Sequence, residues 1–293
     1  MVNKKSSKIA RYSIYSGVTD SWIESCQPSI DLYAVWEKGK YVDLALFFGQ
    51  SNMVGYANFR TNEYKVPWNS KPTGIDTDII NNYKSYGRTI VSMPRNLAYE
   101  YKANGLVDIS TNPYDFGENI LKNGKLALER SKGTNIIPYF AKEYYEKTGH
   151  KIVIVHAALG GKIINGYLPD SECRKINANQ CQYTYEAMVE KYKDAEAYLK
   201  KKNYIIRNKF YVIYQGETDS GNEKNANMYY NNYMTLHKHL TKAKETGNEL
   251  NLSFGALIHT VRYGNFAPNL NKETEKGEAS GKTKTIYLKK SMM

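Results

Sequence analysis

Residues 42–48 form a nearly unbroken apolar run that gives way at once to Gly49-Gln50-Ser51. The same grammar returns three times. Residues 152–155 run into His156-Ala157-Ala158-Leu159-Gly160-Gly161, residues 210–214 into Gln215-Gly216-Glu217, and residues 252–258 into His259. Continuous apolar runs of this length predict strands buried on both faces of a parallel sheet, because a strand with one wet face alternates instead. Helical spacing fills the intervals. Pro138 opens a predicted helix over residues 139–147 with Gly149 as its stop, and residues 185–202 place Ala187, Val189, Tyr192, Ala195 and Leu199 on one side. A third helix, over residues 228–244, ends before Gly247. Strand–helix alternation predicts βαβ crossovers, hence an α/β fold: a three-layer α/β/α sandwich around a doubly wound, mostly parallel sheet. Such sheets bind ligands beyond the carboxyl ends of their strands. All four polar motifs stand at such ends, which gathers Ser51, the glycine pair, Gln215 and His259 around one crevice.

The two ends of the chain pattern differently. Residues 1–40 contain one alternating stretch with Leu32, Ala34 and Trp36 facing one way. The stretch Asp31-Leu32-Tyr33-Ala34-Val35-Trp36-Glu37-Lys38 resembles the close of the small β-repeat of bacterial surface proteins (the Listeria–Bacteroides type), and reads equally as a plain strand. After Tyr263 the apolar pattern gives way to a stretch rich in Lys, Glu, Thr and Gly and then a basic end. The expected organisation is a partial repeat or linker over 1–40, a core over 41–266, and a disordered basic tail over 267–293.

Composition narrows the class. Hydrophobic residues make up 41% of the 293, enough for a sizeable core, and mean hydropathy is −0.62. No stretch approaches the roughly 18 to 20 apolar residues that span a bilayer, and the basic start has no apolar segment behind it of the kind a signal peptide carries. The net charge of +12 is spread along the chain without a nucleic-acid-binding motif, so a solvated basic surface is expected and a nucleic-acid partner is not. The 27 tyrosines suit carbohydrate stacking as well as core packing. Cys26, Cys173 and Cys181 have no metal-ligand spacing; Cys173 and Cys181 read either as a loop disulfide of an exported protein or as two thiols. No metal or organic cofactor is expected.

A serine just past a buried strand serves either as a helix cap or as a rigidly held nucleophile backed by helix amides. The block is not the G-x-S-x-G elbow, since Met53 stands where the second Gly belongs. Gly49-Gln50-Ser51-Asn52-Met53, with Gly55 beyond, resembles the first block of the SGNH-hydrolase superfamily, a flavodoxin-like fold. More closely it resembles the sialate O-acetylesterase and carbohydrate esterase family six branch. Leu159-Gly160-Gly161 and Gln215-Gly216-Glu217 are similar to the second and third blocks of that branch, and the likeness runs from residue 42 to residue 263. It implies a serine-dependent O-acetyl esterase acting on acetylated sugars, secreted or displayed on a bacterial surface. Ser51 is then the nucleophile and, through its own amide, one oxyanion donor. Gly160, Gly161 and Gln215 supply further donors, and Gln50 and Asn52 line the site. Glu217 is the acid partner of a histidine or an organiser of the site's hydrogen bonds, and Asp219 a turn residue. Preorganised donors of this kind are worth about 3 to 4 kcal/mol each to a tetrahedral oxyanion.

The family's base lies in a DxxH block, and this chain has none. The expectation is a core that lacks its last unit, which leaves an impaired or purely glycan-binding relative as the alternative. Among the five histidines, His156 is expected in the core, His150 in a loop, and His237 and His239 on a solvated helix face. His259, at a strand end on the site side, is the best-placed base or pocket-lining residue.

Overall fold

The computed structural model describes residues 40–55, 58–60, 63–65, 95–111, 115–131, 135–242, 250–259, 265–279 and 285–287. The strand expected around Leu32, Ala34 and Trp36, Cys26, and the helix stop expected at Gly247 lie outside the described residues. The strands are β1 (Lys40–Gly49), β2 (Asn58–Arg60), β3 (Glu63–Lys65), β4 (Ala98–Lys102), β5 (Gly105–Asp108), β6 (Ile120–Lys122), β7 (Lys125–Leu128), β8 (Ile152–Ala158), β9 (Tyr204–Tyr214), β10 (Phe254–His259) and β11 (Thr285–Tyr287). The helices are α1 (Ser51–Val54), α2 (Ile137–Thr148), α3 (Asp170–Asn177), α4 (Thr184–Lys201), α5 (Glu223–Thr241) and α6 (Ala267–Ala279).

Seven strands form one sheet in the order β11–β10–β9–β1–β8–β4–β5. All neighbours are parallel except β4 and β5, an antiparallel hairpin at one edge. Taken in chain order, β1, β8, β9, β10 and β11 stand 2-1-3-4-5 across the sheet, the flavodoxin-like order. Residues 42–48 of β1 are buried throughout. Val42, Leu44, Leu46 and Phe48 pack on one face with α4, α5 and Leu270 of α6; Ala45 and Phe47 pack on the other with Met53 of α1 and Ile137 and Ala141 of α2. The result is the three-layer, doubly wound sandwich that the apolar runs predict.

Asp43 interrupts the first run, yet it too is buried. It is held at the amino ends of the strands by the Tyr144 hydroxyl (2.7 Å), His150 Nδ1 (3.0 Å), the Asn208 amide (3.0 Å) and the Arg207 guanidinium (3.4 Å). A buried carboxylate is tolerable only with such partners.

Three expectations change. The tail from 267 is not disordered throughout: α6 forms there, burying Ala267, Leu270 and Thr274 and packing on α5, and β11 extends the sheet. Its charged residues mask a short apolar stripe that composition averages away. β9 begins at Tyr204 rather than 210 because the polar stretch Arg207-Asn208-Lys209 stays in the strand. Three antiparallel pairs, β2–β3, β4–β5 and β6–β7, have no counterpart among the apolar runs. β4–β5 turns through Ala103 and Asn104 and β6–β7 through Asn123 and Gly124, all at positive φ. An Asn-Gly pair is the common sequence signal for such a turn.

At Gly49 the backbone of β1 leaves no room for a side chain beside β9. The φ of Gly49 is +143°, and a Cβ there would lie 2.1 Å from the Tyr214 carbonyl oxygen. Gly49→Ala therefore combines strain with a backbone clash. Its stability, measured by urea denaturation, should fall by about 3 kcal/mol; a change below about 1 kcal/mol would show that the two strands can part.

Candidate active site

β1 ends at Gly49, Gln50 caps α1 with extended backbone (φ −90°, ψ −151°), and Ser51 is the first helical residue. The Gln50 N–H donates to the Tyr214 carbonyl (3.1 Å), which fixes the turn against the end of β9. Ser51 is partly exposed while Met53 and Val54 are buried. Its N–H belongs to the first helical turn, whose amides have no partners within a helix. Gly55 closes the helix in the left-handed region, its N–H on the Ser51 carbonyl (2.9 Å).

The residues on either side of Ser51 are held by one carboxylate. Gln50 Nε2 donates to Glu217 Oε2, and Asn52 Nδ2 to Glu217 Oε1. The Gln50 carbonyl oxygen accepts the Thr218 N–H (3.2 Å), so this buried amide is satisfied at both ends. The link is possible because β1 and β9 are neighbours and end in register, Gly49 beside Tyr214.

β8 brings the second block alongside. The Leu159 N–H meets the Gly49 carbonyl (3.0 Å), and the Tyr167 hydroxyl donates to that same carbonyl. The Gly160 N–H donates to Glu129 Oε2 (3.2 Å). Gly161 lies at φ +69° with open space where a Cβ would be. Gln215, fully buried, gives its Nε2–H to the Lys162 carbonyl (2.6 Å), and its Oε1 has no partner among the described residues. Asp219 stands in a 3₁₀ turn, but it is a buried carboxyl rather than a surface turn residue. It accepts the Ile164 N–H (3.0 and 3.2 Å) and contacts the Gln215 amide. Burial pushes its pKa well above the usual carboxylate range, and those two donors only partly oppose the shift.

Gln50, Ser51, Asn52 and Glu217 thus form one bonded group, and Gly160, Gly161 and Gln215 share its end of the sheet. Glu129, Lys162 and Tyr167 went unnoticed in the sequence. Glu129 and Tyr167 stand in no motif and reach the site through the fold, whereas Lys162 directly follows Gly161.

The histidines separate clearly. His156 lies inside β8, fully buried, and its Nε2 meets the Met53 carbonyl (2.9 Å), so that nitrogen carries the proton. Nδ1 has no partner among the described residues. Burial pushes its pKa down to about 3. His150 binds Asp43 at the far end of the sheet. His237 and His239 are not solvated as expected. His237 Nδ1 lies 2.6 Å from the Tyr211 hydroxyl, and burial lowers its pKa; His239 Nε2 lies 2.8 Å from Glu172 Oε1. The lysines of α5 disguise a face that packs on β9 and α3. His259 ends β10, paired by backbone with Tyr287 of β11. Among the described residues, no group of three or more His, Cys, Asp or Glu is placed to hold a metal. Cys173 and Cys181 form a disulfide.

The family model described as carbohydrate esterase, sialic acid-specific acetylesterase matches residues 41–290. Comparison with curated proteins finds no match. Similar solved structures include a protein from Arabidopsis thaliana, at 16% identity over 85% of each chain and a TM-score of 0.49. A carbohydrate acetylesterase from Xanthomonas citri is 17% identical over 84% of this chain, which spans 49% of that protein, with a TM-score of 0.49. NanS is 12% identical over 86% of this chain and 79% of its own, also at 0.49.

His156 makes a prediction about pH. Its folded pKa is about 3 against 6.5 for a free imidazole, so the unfolded chain binds a proton in this interval that the folded chain refuses. The stabilisation is complete above pH 6.5 and is lost as pH falls toward 3. Glu100, raised to about 7 by burial, acts in the opposite sense, so the contribution must be read as a difference. The stability of wild type minus that of His156→Gln, from urea titrations, should shrink below pH 6.5 by up to about 1.4 kcal/mol per pH unit. A flat difference would mean that the imidazole charges inside the fold.

Proposed function

The chain belongs to the sialic acid-specific acetylesterase family of carbohydrate esterases, which are ester hydrolases, and we propose that it removes acetyl groups from sugars through an acyl-enzyme on Ser51. The observation that carries this reading is the Glu217 carboxylate, bound by Gln50 on one side of Ser51 and Asn52 on the other. A nucleophile needs a fixed line of attack, and this clamp immobilises both its neighbours.

In the proposed reaction Ser51 Oγ attacks the acetyl carbonyl while a base takes its proton. The tetrahedral oxyanion is held by the Ser51 and Gly161 amides, joined by the Gly160 amide and Gln215 once they exchange the Glu129 and Lys162 acceptors for substrate. The sugar hydroxyl leaves with the proton, and water then releases acetate by the same route. His259 is the proposed base, because it closes β10 at the site end of the sheet; the other four histidines bond Asp43, the Met53 carbonyl, Tyr211 and Glu172. Glu217 is a positioning residue in this scheme. The substrate is an acetylated sugar such as an O-acetyl sialic acid or acetylated xylan. The disulfide supports an exported protein, because oxidising compartments are where such bonds persist.

A second reading, a glycan-binding relative that turns over no ester, is favoured by the internal bonds already made by Gly160 and Gln215. Hydrolysis of p-nitrophenyl acetate decides between them. The esterase reading expects turnover in wild type and none in Ser51→Ala or His259→Ala. Binding of acetylated glycan without turnover would establish the second reading.

Glu217→Gln tests the clamp. It puts an amide N–H where two donors now converge on oxygen, so one bond must break. kcat should fall by roughly 10- to 100-fold with the protein still folded; an unchanged kcat would remove Glu217 from the site's machinery.

A further inference from the structure

Lys162 follows Gly161 directly and is engaged at both ends. Its carbonyl accepts the Gln215 amide (2.6 Å), and its Nζ donates to the Gln180 carbonyl (2.7 Å). The side chain is buried, with the residue only 4% exposed. Its stem crosses Gly166, where an added Cβ would lie 3.0 Å from Lys162 Cδ and 3.2 Å from the Gln180 carbonyl oxygen. A larger residue there would push both groups aside. Gln180 adjoins Cys181, whose disulfide to Cys173 in α3 is itself buried. A continuous path therefore runs from the Cys173–Cys181 bond through the Gln180 carbonyl and Lys162 to the Gln215 amide.

We propose that Lys162 is a positioning residue that transmits the geometry of the disulfide loop to Gln215, so that reducing Cys173–Cys181 loosens the oxyanion side of the crevice. The inference rests on the proposed role of Gln215. An ammonium carries its bond partners as a compact charge on a flexible stem, and it stays in one place only while its acceptor does. Cutting the disulfide frees the loop that presents that acceptor, and shifts of about 1 Å in such supports are enough to cost up to a hundredfold in rate. The ammonium is also poorly compensated, since burial pushes its pKa down to about 8 with a further contribution from Lys125. The Gln180 carbonyl is the acceptor that holds the Nζ. In the reduction two electrons and two protons from dithiothreitol convert the S–S bond to two thiols, and the reagent closes to its own cyclic disulfide.

The test compares wild type, Cys173→Ser/Cys181→Ser and Lys162→Met, each with and without dithiothreitol. For p-nitrophenyl acetate, reduction or the double serine variant should lower kcat about tenfold or more, with little change in KM. Lys162→Met should show the same loss already when oxidised and no further loss on reduction. A wild type indifferent to reduction, or a Lys162→Met that loses the same factor again, overturns the proposal. A second readout does not need turnover. The Gln215 side-chain amide, assigned in NMR spectra by its disappearance in Gln215→Glu, should exchange its protons slowly in the oxidised wild type. Exchange should quicken on reduction and be quick in Lys162→Met under both conditions; exchange that ignores both changes refutes the link. If Ser51→Ala hydrolyses ester as fast as wild type while Gln215 exchange still follows the disulfide, the reading of the site fails and the positioning path stands.

Discussion

The backbone of β1 passes so close to that of β9 at Gly49 that a side chain would occupy the space of the Tyr214 carbonyl. That contact lies between the two strands at which the winding of the sheet reverses, the point where open α/β sheets leave a crevice. It sets the height at which Gln50 leaves the sheet, lets the Gln50 N–H reach the Tyr214 carbonyl, and starts α1 with Ser51 at its first position. Because β9 ends in the same register, Glu217 arrives within reach of Gln50 and Asn52. A bulkier residue at 49 would part the strands and separate the carboxylate from the amides it binds.

Polar groups hold the two ends of the sheet in different ways. At the amino ends Asp43 is surrounded by a hydroxyl, an imidazole, an amide and a guanidinium, which satisfy a buried charge and fasten β1 to α2 and β9. At the carboxyl ends the groups form a connected series instead. Glu217 holds the turn that carries Ser51, Gln215 and Asp219 hold the loop after Gly161, and Lys162 ties that loop to the Gln180 carbonyl beside Cys181. A linked series of this kind passes displacement along, because each low-dielectric bond is costly to leave unmade. The first arrangement closes around one charge-bearing group, and the second runs from loop to loop.

His156 shows how burial decides a residue's part. It stands in a motif beside the glycine pair, but the strand continues through it, and its ring is spent on the Met53 carbonyl behind α1. The imidazole therefore stays neutral over the working range and supports the turn that carries Ser51 without exchanging protons there.

The apolar runs at 42–48, 152–155 and 210–214 were enough to establish parallel strands buried on both faces; the run at 252–258 also yields a parallel strand, but one exposed at Phe254. With the helical spacing between them the runs give the layered fold. The polar residues immediately after each run fall at one edge of the sheet, since carboxyl ends of parallel strands share that edge. Ser51, Gln50, Asn52 and Glu217 were legible because they sit in short motifs next to those strands. Pairings over long separations were not. That Glu217 binds both neighbours of Ser51, that Glu129 takes the Gly160 amide, that Asp219 is buried under Ile164 and that Lys162 joins Gln215 to Gln180 all depend on strand order and register. The same holds for His237, whose lysine-rich helix conceals a face packed on Tyr211, and for α6, where composition averaged away the stripe containing Leu270. Local pattern records which residues a strand or helix must bury; only the assembled sheet decides which distant polar groups meet there, because hydrogen bonds require specific partners while burial requires only an apolar neighbour.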